Sequence, residues 1–112
     1  MRKLVSIVEL ATFIRAADGV LNDEEKDELK FFLAANPEAG DVIVGTGGAR
    51  KLRWTAQGKG KRGGGRVIYY FYNETAPLFL MDFYVKGARQ SLTAGEKKEF
   101  RAIIDLLVGA YR

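Results

Sequence analysis

Apolar positions along this chain follow first a helical and then a strand-like period. In the first third, Ile7, Leu10, Ile14 and Ala17 recur at helical spacing, and Asp18-Gly19 supplies a stop. Ahead of them, residues 2–6 are short and apolar enough to open the chain as a strand. Asn22 predicts an N-cap, Glu25 completes a capping box, and Asp23 and Glu24 fall in the first turn, where acids favour the helix dipole. Leu29, Phe32 and Leu33 give this second helix its apolar face, and Asn36-Pro37 ends it. The first third thus reads as a helical hairpin, with the charge run 23–30 as a solvated face.

Beyond a loop at 40–48, anchored by Asp41-Val42-Ile43, the period drops to two. Residues 50–56 alternate Lys51, Arg53 and Thr55 on one face with Leu52 and Trp54 on the other. A second strand at 66–72 is continuously apolar and aromatic from Val67, as expected of a central strand covered on both faces. Asn73 to Pro77 reads as a polar turn and 78–85 as a further strand. Thr93-x-x-Glu96 is a capping box, after which Phe100, Ile103, Ile104, Leu107, Val108 and Tyr111 mark one face of a closing helix. The order β-α-α-β-β-β-α predicts one α+β domain over residues 1–112, with two N-terminal helices and one C-terminal helix on an antiparallel sheet.

Composition narrows the chemistry. At 47% hydrophobic residues the chain is an ordinary globular sequence, long enough for one core. It has no Cys, hence no disulfide and no thiolate chemistry. Nor does it have His, which removes the usual general base and the commonest transition-metal ligand, so neither a metal nor a small-molecule cofactor is expected. No signal pattern or membrane-length apolar run is visible, and a cytoplasmic setting without a membrane partner is the expectation.

Charge is unevenly placed. Between Val42 and Asn73 there is no acid, whereas Arg50, Lys51, Arg53, Lys59, Lys61, Arg62 and Arg66 supply seven cations. The net charge is +4, so the rest of the chain carries −3. Such a concentration suits a polyanion. Five glycines in the nine positions 57–65 form either a solubilising hairpin tip or a loop whose backbone and ammonium groups fold around phosphates. Symmetric pairing about that loop sets Thr55 opposite Arg66, putting Arg66 on the face of Lys51 and Arg53. That face is either solvated or matched by an anion. Tyr69, Tyr70, Phe71 and Tyr72 could stack on bases, but Tyr69, Phe71 and Trp54 read as core. Gly58-x-Gly60-x-x-Gly63 copies a dinucleotide fingerprint but leads into a strand, so no helix N-terminus awaits a pyrophosphate. Asn73-Glu74-Thr75 reads as a turn.

Three runs carry a more specific signal. They are Asn36-Pro37-Glu38-Ala39-Gly40-Asp41-Val42-Ile43, Gly45-Thr46-Gly47-Gly48-Ala49-Arg50-Lys51-Leu52-Arg53, and Gly58-Lys59-Gly60-Lys61-Arg62-Gly63-Gly64 followed by Arg66-Val67-Ile68-Tyr69-Tyr70-Phe71. Together they resemble the HigB-like branch of the RelE/ParE toxin superfamily, as does the helix start Leu92-Thr93-Ala94-Gly95-Glu96. The resemblance implies a RelE-like fold and a toxin, restrained by a cognate antitoxin, that cuts mRNA in the ribosome by metal-free attack of a 2′-OH on the neighbouring phosphate. It implies catalytic roles for Lys51, Arg53, Arg66 and Lys86; the other cations Arg50, Lys59, Lys61, Arg62 and Arg89 are expected, on their charge, to contact RNA or ribosome. Where well-known RelE members have an Arg and then a Tyr, this chain has Gly87 and Thr93, and it lacks the His of some HigB members. Two other readings stand beside this one: a ParE-type toxin that binds DNA gyrase without catalysis, and a nucleic-acid-binding module.

Overall fold

The computed structural model describes residues 4–54, 64–85 and 92–112. Candidate positions Lys59, Lys61, Arg62, Lys86 and Arg89, together with Gly87, Thr55 and most of the Gly/Lys loop, lie outside them.

Local signals account for the helices. Helix α2 (Asp23–Ala35) begins with both halves of the capping box: Asn22 Oδ1 accepts from Glu25 N–H at 2.8 Å, and Glu25 Oε1 accepts from Asn22 N–H at 2.8 Å. It buries Leu29 and Leu33, one turn apart, whereas Phe32 stays partly exposed against Trp54, ring centroids 5.6 Å apart. Helix α3 (Ala94–Tyr111) starts in the same way at Thr93 and Glu96.

The chain's opening differs from its sequence pattern. The first strand, β1, is Ile7–Glu9 rather than residues 2–6, and α1 is confined to Ala11–Ala17. Ile7 therefore belongs to a strand. Its helical spacing from Leu10 was coincidental, because pairing with a later strand satisfies the backbone there. The stripe that α1 buries is Phe13 and Ala17, and Ile14 is half exposed.

Five strands form one sheet: β1, β2 (Asp41–Val42), β3 (Arg50–Trp54), β4 (Gly65–Tyr70) and β5 (Leu78–Val85). Their spatial order is β1-β5-β4-β3-β2. All neighbours are antiparallel except β1, which runs parallel to β5, so the expected antiparallel sheet is a mixed one with a single parallel edge. The α+β class stands, with two helices before the sheet's main strands and one after. Two cores flank the sheet. Val67, Tyr69, Leu78, Leu80 and Phe83 meet α1 and α2 on one side. On the other, Ile68, Tyr70, Phe79 and Met81 meet Phe100 and Ile104 of α3. Strand β4 alternates between these cores, which is why its apolar run is unbroken. Burying Phe100 and Ile104 contributes about 1.5–3 kcal/mol each.

A bulge interrupts β5. Ile68 pairs with Asp82 but Tyr69 with Leu80, so Met81 is extra. Met81 and Asp82 then share the α3 side of the sheet, and every later residue changes face relative to strict alternation. Among the described residues no helix is long and apolar enough to cross a membrane.

Candidate functional site

Strand pairing sets the candidate cations in two rows on the α3 side. Arg66 lies opposite Arg53 on one flank and opposite Tyr84 on the other. One row along, Lys51 faces Ile68, which in turn faces Asp82. The pairing differs from symmetric closure of the loop: Arg66 meets Arg53, not Thr55. This two-residue shift preserves the side each residue faces, so Lys51, Arg53 and Arg66 share a face as expected.

Gly65, at the start of β4, is set by its packing against β5. A Cβ on Gly65 would fall 2.2 Å from Phe83 Cζ, so only glycine lets that buried ring lie across the start of β4. Arg66 follows directly, half-buried, with Nη1 donating to Gly65 O at 3.2 Å. Arg53 is exposed and Lys51 half-buried. Neither takes part in an ion pair among the described residues. Residues directly opposite across an antiparallel pair have Cβ atoms about 4.5–5.5 Å apart, so Arg53 and Arg66 leave the sheet as neighbours.

Arg50 occupies a different place. It alternates onto the α1/α2 side, where Nη1 donates to Gly40 O at 2.7 Å and Glu38 O at 3.3 Å, and Nη2 lies 3.8 Å from the Glu38 carboxylate. Beside it, the buried Tyr69 hydroxyl accepts from Gly40 N–H at 2.8 Å. Burial pushes the Tyr69 phenol above its ordinary pKa, with the Gly40 hydrogen bond and Arg50 pulling the other way. Arg50 thus fastens the 38–40 segment to the sheet, away from the other three cations.

Side chains not singled out from the sequence join the site. The bulge brings Asp82 onto the face of Lys51, and its Oδ1 accepts from Phe83 N–H at 2.8 Å. Tyr84, buried, completes the row of Arg53 and Arg66. Asp41 of β2 pairs with Lys51, placing a carboxylate at the outer rim. Strict alternation would have put Asp82 and Tyr84 on one face anyway; what it could not show is that this is the face of Arg66. That depends on the pairing of β4 with β5.

The aromatic run is mostly core. Tyr69 and Tyr70 are buried, and Phe71 and Tyr72 are half-buried. Tyr72 stacks on Tyr70 with centroids 6.4 Å apart at 22°. Burial, then Tyr72 and Asp105, raises the Tyr70 phenol above its ordinary pKa. Thr93 serves as the cap of α3.

A cavity of about 410 Å³ opens between α1 and α3, bordered by Thr12, Arg15, Asp82, Glu96, Glu99 and Phe100. Asp82 is common to this cavity and to the rows of cations. A second cavity of about 580 Å³, lined by Val5, Phe32, Pro37, Glu38, Phe71 and Glu74 among others, includes none of the candidate cations. Among the described residues no three His, Cys, Asp or Glu side chains converge as a metal site. No family model matches the chain.

Proposed function

We propose that this protein is the toxin of a toxin–antitoxin pair, a RelE/HigB-like endonuclease that cuts mRNA on the ribosome. The observation that carries the reading is the Arg53–Arg66 pair facing across β3 and β4, with Lys51 one row away on the same face. The chemistry asked of it is transfer of the phosphodiester to its own ribose. The 2′-oxygen bonds to phosphorus, the bond to the 5′-oxygen breaks, and the fragments carry a 2′,3′-cyclic phosphate and a 5′-hydroxyl. Arg53 and Arg66 neutralise charge growing on the phosphoryl oxygens, where fixed donors act most strongly. Lys51 clamps the phosphate or takes the 2′-OH proton, Asp41 beside it and Asp82 two strands away are carboxylates on that face, and a proton ends on the departing 5′-oxygen. Ribosomal positioning of the mRNA supplies much of the remaining rate through orientation.

The test is primer extension on a defined mRNA in a translation reaction, with and without ribosomes, followed by single-turnover cleavage on programmed ribosomes. Arg66→Ala is expected to slow cleavage on the order of a hundredfold, with ribosome association changed only a few-fold. Lys51→Arg keeps the charge but not a proton-accepting role, and restores cleavage only if Lys51 is a clamp. Absence of cleavage by the wild type would reject this reading.

A further inference from the structure

The charges of α3 are sorted across its axis. Glu96 and Glu99 line the cavity against α1. Lys97 and Arg101, one turn apart, lie on the opposite flank, over the turn at 44–48. A Cβ on Gly45 would sit 3.6 Å from Lys97 Cδ, and one on Gly47 3.4 Å from Arg101 Cγ. The aliphatic stems therefore rest on a glycine backbone and carry their charged heads outward.

This turn is held from within. Thr46 is fully buried, its hydroxyl donating to Ile43 O at 2.7 Å and accepting from Ala49 N–H at 3.0 Å. Ile43 N–H closes the turn on Ala49 O at 2.8 Å. Gly45, Gly47 and Gly48 adopt φ of +89°, +79° and +122°, which favours glycine and leaves the backbone bare. At its tip Val44 is 85% exposed. The turn runs straight into β3, and about 13 Å of strand rise separates Ala49 from Arg53. Lys97 and Arg101, like Lys51 and Arg53, take part in no ion pair among the described residues.

The geometry points to a second phosphate-binding track, along which the RNA strand beside the cleaved bond continues. It runs from the Arg53–Arg66 pair past Lys51 onto the turn at 44–48, where Lys97 and Arg101 hold its phosphates and Val44 supports a base or ribose. The inference rests on the proposed action on RNA and extends it beyond the reacting phosphate. Cations strung along a line, beside a glycine-rich backbone, suit a chain of regularly spaced charges better than one compact anion.

The test compares wild type, a Lys97→Ala/Arg101→Ala double variant, and a charge-preserving Lys97→Arg/Arg101→Lys variant. Each is titrated with a labelled single-stranded RNA from 50 to 200 mM salt, with melting temperature measured in parallel. Loss of two phosphate contacts lowers the slope of log affinity against log salt by about 1.4, so between those salts the double Ala variant loses about sevenfold less affinity than wild type. Its affinity at the lowest salt falls, its melting temperature holds, and the charge-preserving variant behaves as wild type. A double Ala variant with wild-type affinity and slope overturns the track, as does an equal loss in the charge-preserving variant or wild-type protein that binds no RNA. Cleavage separates this from the functional reading: a wild type that binds RNA through Lys97 and Arg101 but never cuts it keeps the track and rejects the endonuclease.

Discussion

At the residue scale, neighbours in sequence have separate tasks. Arg50 and Lys51 are adjacent, yet one fastens the 38–40 segment and the other faces the α3 side with Arg53 and Arg66. Tyr69 shares the fastening, and its hydroxyl is the acceptor for a buried Gly40 N–H. Tyr69→Phe removes that acceptor and should lower stability by about 1–3 kcal/mol at neutral pH, read from urea unfolding. The pH dependence has a definite sign. Folding raises the phenol's pKa, so its stabilisation is complete below the unfolded value of about 10 and is lost as pH climbs through the folded one. Wild type should therefore weaken progressively above about pH 10, and Tyr69→Phe more gently, because one of the buried phenols no longer ionises. Parallel alkaline curves for the two proteins would refute this assignment.

At the element scale, the two capping boxes start the helices that cover opposite faces of the sheet. Thr93 caps α3, whose Phe100 and Ile104 close the second core. Thr93→Ala should cost about 1 kcal/mol and lower the melting temperature by about 4 °C, measured by thermal unfolding. Cleavage at saturating substrate should persist, since the hydroxyl is occupied in capping. A loss of cleavage far beyond the loss of stability would instead place Thr93 in the reaction. The bulge in β5 is the other element-scale device. By bringing Asp82 and Tyr84 to the rows of Lys51 and Arg66, it supplies titratable groups to a chain without His.

At the scale of the whole molecule, opposite charges occupy different sides of α3. The β3–β4 rows and the flank of α3 over the 44–48 turn carry cations, whereas the cleft against α1 is mainly acidic. A restraining partner for such a surface should present an acidic segment, disordered when free and folding on contact. Expression of this chain alone should arrest growth of a bacterial host, and co-expression of its genomic neighbour should relieve the arrest. Unimpeded growth with folded protein present would reject the toxin reading.

Much of the fold was legible because its signals are local. A capping box is complete within four residues, so Asn22 and Thr93 identified both long helices. Strand β5 was visible from its apolar run, and the shared face of Lys51, Arg53 and Arg66 survived an error in register because strand side chains repeat every two residues. What the sequence could not determine were the relations set by distant packing. Pairing with Leu78–Leu80 makes Ile7–Glu9 a strand, and the β3–β4 register pairs Arg53 with Arg66. The extra Met81 brings Asp82 to the site, and α3 lays Lys97 and Arg101 over Gly45 and Gly47. Periodicity tells which side of an element a residue faces; only contacts between elements far apart in the chain decide what it faces there.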